Sequence, residues 1–221
     1  MANSQQLRDN IEQHKVKNTE SKHDDKQLYE VSKAVVQMLQ KCFPNQKDNF
    51  YLTEKISLGT IGKLRGIPIE DQYKDNASKP DGGIIWWGKH PLVITEAKRQ
   101  GTNNAREKEG KDRQALGNAI ERLGKNLAIY RKLYRDETIF PFICYCRGCD
   151  FGHPYILSKL YGMNDMHNIG EYYYHNIGND QPFSCIYTSG EEFDTQYLLM
   201  KIFKMAINSL LYFSQKENRC E

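Results

Sequence analysis

Between Gln27 and Phe43 the apolar residues Leu28, Val31, Ala34, Val35, Met38 and Leu39 recur every three or four positions. That spacing predicts an amphipathic helix, which Pro44 ends. The preceding residues 1–26 are polar and uneven in charge, and read as a flexible arm or a loosely docked helix. After the helix, "ISLGTIGKLRGIPIEDQYKDNASKPDGG" mixes Gly, Pro, Asn and Asp with short apolar pieces and predicts irregular structure leading into a sheet. "GIIWWG" and "PLVITEAK" then predict two strands of a hairpin, turning near Lys89 and His90.

The next stretch, "RQGTNNAREKEGKDR", is almost wholly polar and holds nothing from which a core could form. Beyond it, Leu116, Ile120, Leu123, Leu127 and Tyr130 or Tyr134 trace the single apolar stripe of a long helix. "TIFPFICYC" and "SCIYTS" predict further strands, and "TQYLLMKIFKMAINSLLYF", apolar around much of its circumference, predicts a deeply packed final helix. Strands interleaved with helices define an α/β fold around a central mixed β-sheet flanked by helices. The expected organisation is an arm over 1–26 and one domain over 27–221, with a chemically rich hairpin at 80–98 and a loop and helix at 99–135.

At 221 residues the chain is long enough for one sizeable core. Hydrophobic content of 39%, charged content of 27% and 14 tyrosines place it well away from disordered chains. A formal charge of +3 permits nucleic-acid binding without arguing for it, since a local basic groove matters more than the chain total. No apolar run suits a signal peptide or a membrane span, so a cytoplasmic protein with no membrane partner is expected. Its six cysteines would then be largely reduced.

Candidate chemistry gathers on the hairpin. Side chains two apart on a strand share a face, so Glu96 and Lys98 should project together. Antiparallel pairing brings the start of one strand beside the end of the next, which adds Asp81 of "KPDGG" to the pair. Two converging carboxylates make a hard-oxygen site suited to Mg²⁺. A lysine beside it can hold or deprotonate a water and offset charge building on a phosphate. The plainer alternative is a surface ion pair.

On the following helix, a core-facing stripe of Leu116, Ile120, Leu123 and Leu127 turns Asn118, Arg122 and Lys125 outward. Asn can bond adenine through N6 and N7, and Arg can reach purine N7 or guanine O6. The small residues Gly117, Asn118 and Ala119 would let a helix end approach a groove closely. A solvated helix face is the alternative. Cys144, Cys146, Cys149 and His153 in "CYCRGCDFGH" have the count of a zinc knuckle but not the spacing, and strand alternation puts Cys144 and Cys146 on one buried face as small hydrophobes. "EYYYH" reads as packing at an interface, with base stacking as the other use.

"KPDGGI", "TEAKRQG", "ALGNAIER", "FPF" before a strand, and "SCIYTSGEEFDT" before the final helix, taken in that order, resemble the EcoRI family of type II restriction endonucleases. The resemblance implies a restriction-endonuclease-like fold of the PD-(D/E)xK type, a homodimer, and double-stranded DNA as substrate. It implies Asp81 and Glu96 as Mg²⁺ ligands and Lys98 as the third catalytic residue. It maps Gly117, Asn118, Ala119, Glu121 and Arg122 onto the run that reads a central AATT, and a twofold dimer suits such a palindrome.

For the outer base pair, the late segment "HPYILSKLYGMNDMHN" lacks the arginine with which EcoRI reads guanine. Arg113 in "KDRQ" stands where MunI-like members carry theirs, which implies C^AATTG rather than GAATTC and four-base 5′ overhangs. A phosphate contact or a helix-start ion pair is the alternative for Arg113. Two other readings compete with the whole assignment: a DNA-binding protein that does not cut, and a structure-selective repair nuclease of the same fold.

Overall fold

The computed structural model describes residues 2–100, 107–108, 110, 118–148, 151, 154–155, 158–159, 184–189 and 192–218. Its centre is a five-stranded sheet in the order β1 (Phe50–Thr53), β4 (Gly83–Trp87), β5 (His90–Arg99), β6 (Phe142–Arg147), β7 (Ser184–Ser189). β1, β4 and β5 pair antiparallel, whereas β5, β6 and β7 pair parallel. This is the mixed sheet expected from the sequence. The hairpin falls where the alternation placed it, with Gly83 opposite Thr95, Trp87 opposite His90, and a bulge between Ile85 and Trp86. A small second sheet pairs β2 (Ile56–Ser57) with β3 (Ala77–Ser78).

The helices cover both faces. Ser32 Oγ, on helix α1 (Ala2–Cys42), lies 3.1 Å from Thr95 Oγ1, while Tyr130 on helix α3 (Asn118–Leu133) bonds Glu96. Adjacent strand residues point to opposite faces, so α1 and α3 pack on opposite sides of β5. Helix α4 (Thr195–Glu217) lies against α1 and β5. The core joins Leu28, Val31, Val35 and Leu39 of α1 to Ile84, Ile85, Val93 and Ile94 of the hairpin, to Leu123, Leu127 and Tyr130 of α3, and to Ile202 and Met205 of α4. Among the described residues no helix is long and apolar enough to cross a membrane.

Two elements extend beyond what apolar spacing marks. The apolar spacing that starts at Gln27 marks only the later part of α1, whose backbone is helical from Ala2, the helical one of the two readings of residues 1–26. The segment read as irregular contains helix α2 (Leu58–Arg65), started by Ser57 Oγ accepting from the Thr60 N–H and closed by Gly66 in the left-handed conformation. Its Arg65 reaches Glu137, which also accepts from Tyr212 and Lys216 of α4, so one buried carboxylate ties three segments together.

The turn entering β4 leaves no room for side chains. A Cβ on Gly82 would lie 2.2 Å from Thr95 Oγ1 and 2.6 Å from Leu28 Cγ, so α1 rests directly on this turn. Gly83 has a φ of 81°, a conformation L residues avoid. Gly82→Ala should therefore destabilise the protein by about 1–3 kcal/mol, the usual range for overpacking. Chemical denaturation checks this, and an unchanged midpoint would show that α1 can shift away at no cost.

Candidate active site

The hairpin register puts Gly83 beside Thr95, which carries Asp81 past the strand start to Ala97. There the Ala97 N–H donates to Asp81 Oδ2 at 3.0 Å. Lys98 Nζ donates to the same oxygen at 3.2 Å, to the Ala97 carbonyl at 2.7 Å, and to Glu96 Oε1. Asp81, Glu96 and Lys98 thus form one cluster, and the ammonium sits among three oxygens from two carboxylates and a peptide. Glu96 is 1% exposed, so this is a partly enclosed site and not a pair on open surface.

The ammonium is itself a test of what the cluster can hold. A cation surrounded by Asp81, Glu96 and a backbone carbonyl marks a position lined with hard oxygens, the donor set Mg²⁺ takes. The residues therefore fit the metal expected of them. Soft ligands are close by, in register with the site on the neighbouring strand. Cys144 and Cys146, opposite Glu96 and Lys98 on β6, are fully buried with their sulfurs 3.7 Å apart. Burial pushes the Cys144 thiol well up, and both behave as the small hydrophobes the alternation predicts. Cys149, His153 and "EYYYH" lie outside the described residues.

Burial dominates the electrostatics. It pushes the Glu96 carboxyl up to about 7, against the opposing pull of the Lys98 ammonium and with a further push from Asp81. Burial also works to lower Lys98, but the charges of Glu96 and Asp81 outweigh it and hold the ammonium above its ordinary value. Glu96 binds its proton more tightly folded than unfolded, so its contribution to stability is full below about 4.5 and is lost as pH rises through about 7. The metal-free protein should lose stability across that window, and Glu96→Gln should flatten this part of the profile. An unchanged slope in the variant would show the carboxyl charged throughout.

Three participants escape sequence reasoning. Asn126 Nδ2 donates to Glu96 Oε1 at 2.8 Å. Tyr130 OH donates to Glu96 Oε2 at 3.2 Å, while itself accepting from Ser78 Oγ at 2.8 Å. Burial, and then the Glu96 charge, push the phenol well above its ordinary value, so it remains a donor. Asn126 and Tyr130 stand four apart beside the apolar stripe, and a polar residue at that spacing was the available signal. The third is Asp25 of α1, half-buried, whose carboxyl is pushed up to about 6 by burial and then by the charge of Asp81. Its signal was weaker still, one turn ahead of Leu28 in a stretch read as an arm.

On α3, Arg122 and Lys125 are exposed, as the stripe predicts, and so is Glu121, while Ile120, Leu123 and Leu127 are buried. Asn118 opens the helix. Its side chain, that of Ala119, and the whole of Leu116, Gly117 and Arg113 lie outside the described residues. A second acidic group, His23, Asp24 and Glu192, brings ligand atoms within 4.8 Å of one another. It already has its cation, because Arg147 Nη1 lies 2.6 Å from Asp24 and 3.8 Å from Glu192.

A mixed sheet flanked by helices, with two carboxylates and an ammonium gathered at the end of its central hairpin, places the chain among the restriction-endonuclease-like α/β folds. Residues 12–159, more than half of the chain, match the family described as restriction endonuclease EcoRI, and the chain belongs to that family. It is 32% identical over 151 residues to the type II restriction enzyme RsrI of Cereibacter sphaeroides, covering 59% of this chain and 52% of that protein. It is 30% identical over 177 residues to the type II restriction enzyme EcoRI of Escherichia coli, covering 68% of this chain and 63% of that one. The chain thus spans only 52% and 63% of the lengths of these curated relatives. The solved structure of MunI restriction endonuclease with cognate DNA is similar at a TM-score of 0.38 and 18% identity, covering 69% of this chain and 78% of that one, too slight a likeness to bear on the site.

Proposed function

We propose that this protein is a type II restriction endonuclease, cutting both strands of a palindromic DNA site in a reaction that depends on Mg²⁺. The observation that carries the reading is the convergence of Asp81, Glu96 and the Ala97 carbonyl on one cation, the Lys98 ammonium. Asp81 and Glu96 are the proposed metal ligands, with the Ala97 carbonyl as a third oxygen. Mg²⁺ when bound supplies positive charge at the scissile phosphate and a water of lowered pKa. Lys98 keeps a hydrogen-bonding ammonium beside that point, where it can orient the attacking water and meet the charge that grows on the phosphate oxygens.

The proposed reader is the N-terminal part of α3. Gly117, Asn118, Ala119, Glu121 and Arg122 supply the AATT contacts, with Glu121 and Arg122 as the exposed side chains described in that set. Arg113 supplies the outer contact, which favours C^AATTG. A homodimer would present the same readers to both halves of the palindrome. Incubating the protein with a plasmid bearing one CAATTG site, with and without Mg²⁺, should give linear DNA with four-base 5′ overhangs only when the metal is present. An intact plasmid in active buffer would count against the nuclease reading, whereas linearisation at GAATTC would refute the outer base pair alone.

A further inference from the structure

Glu96 is held from the helix that carries the proposed readers. Both of its oxygens accept a bond from α3: Oε1 from Asn126 and Oε2 from Tyr130, whose hydroxyl is aimed by Ser78. A buried carboxylate needs such donors, since an unpaired one is costly. These two donors are neutral. They fix the plane of the carboxylate without adding a positive charge that would compete with a metal, unlike the ammonium of Lys98. They are also rigidly placed, because Tyr130 is fully buried, with its ring 5.9 Å from that of Phe142.

The same rod reaches the reader end. Arg122 lies one turn before Asn126, or about 6 Å along the axis at 1.5 Å per residue. A helix conveys such a displacement as a unit, so whatever seats its N-terminal turn also sets where the Asn126 amide and the Tyr130 hydroxyl stand. We propose that Asn126 and Tyr130 are positioning residues that aim the Glu96 carboxylate at the metal from the reader helix, so that the element seated on the DNA bases is also the one that orients a metal ligand. This rests on the nuclease reading and adds to it the residues that join its two halves.

The test uses the intact chain and Mn²⁺ as probe, with binding followed by electron paramagnetic resonance in the absence of DNA. Tyr130→Phe keeps the ring and removes only the donor, and Asn126→Asp keeps the shape and replaces a donor by a second carboxylate. Loss of an outer-shell partner of a metal ligand typically weakens metal binding about 10–100-fold, and that loss is expected for Tyr130→Phe and for Asn126→Ala. Asn126→Asp should be at least as damaging as Asn126→Ala, the reverse of what a space-filling role would give. Ser78→Ala, one bond further out, should cost less. Cleavage by the two α3 variants should show kcat reduced in parallel, with KM for DNA and the melting temperature little changed.

Mn²⁺ binding by Tyr130→Phe and Asn126→Ala equal to that of the unaltered protein would overturn the proposal. So would an Asn126→Asp variant better than Asn126→Ala, or losses that track melting temperature and DNA affinity together. An unaltered protein that binds Mn²⁺ yet leaves CAATTG and GAATTC plasmids intact would instead strike the nuclease reading. The Mn²⁺ series would then still decide whether α3 aims Glu96.

Discussion

Lys98→Ala should leave a protein that binds its DNA site and does not cut it. In the structure Lys98 bonds Asp81, Glu96 and the Ala97 carbonyl and bears no part of the sheet's core, so its removal strips the site of its ammonium while leaving the hairpin ladder in place. Removing a single donor that faces developing charge typically costs about 10²–10³ in kcat, and the lysine combines that role with orienting the water, so a loss at or beyond the upper end is expected. Specific binding without metal should persist, because the proposed base contacts do not include Lys98. A single-turnover assay beside a gel shift separates the two quantities. Specific binding lost together with cleavage would identify Lys98 as a structural residue, holding apart two carboxylates that cannot otherwise share the space.

Asp81→Asn should also abolish cleavage, and should tighten metal-free binding of DNA. The amide keeps an oxygen for the Ala97 N–H, which now donates to Asp81 at 3.0 Å, so the turn before β4 retains its bond. What disappears is one negative charge at the place proposed for the scissile phosphate. Two unit charges 4 Å apart interact by about 1 kcal/mol in bulk water and about 4 kcal/mol at the effective dielectric of a protein surface, so a gain of roughly tenfold or more in affinity is reasonable. Part of this should fade at high salt, because the site opens to solvent. Filter binding in EDTA at two ionic strengths measures it. Equal affinity of variant and parent under both conditions would mean that DNA does not approach Asp81.

The hairpin and the meeting of its three charged residues were legible because a half-buried strand writes its geometry into every second residue. "PLVITEAK" obliges Glu96 and Lys98 to share a face, and the short turn at Gly88 and Lys89 obliges Asp81 to meet them. The long α3 stripe was legible for the corresponding reason at a period of 3.6. Strands of two residues, such as Ile56–Ser57 and Ala77–Ser78, are too short to express any period, and α2 between them buries only Ile61 and Gly62. The first turns of α1 offered no apolar repeat before Leu28, so Asp25 could not be placed near Asp81 from pattern alone.

Tyr130 was hidden more subtly. It satisfied the stripe as a core aromatic, and a stripe records which residues are buried but not what a hydroxyl finds once inside. Asn126 stands between the buried stripe and the outward face of α3, so periodicity assigns it to neither. A buried acid on the neighbouring strand was the missing hint. Glu96 at 1% exposure requires donors beyond Lys98, and only the packing of α3 on β5 reveals which residues supply them.

The parallel pairing of β5 with β6 has a consequence for how such a protein can change its target. The chain must quit the sheet at the edge where Glu96 and Lys98 stand and return to the opposite edge before Phe142, so residues 100–141 are one connection that begins beside the Asp81, Glu96 and Lys98 cluster. Lengthening or rewriting that connection leaves every rung of the β5–β6 ladder in register. If the proposed nuclease reading holds, target preference can drift along a tether whose anchor point, the Asp81, Glu96 and Lys98 cluster, does not move.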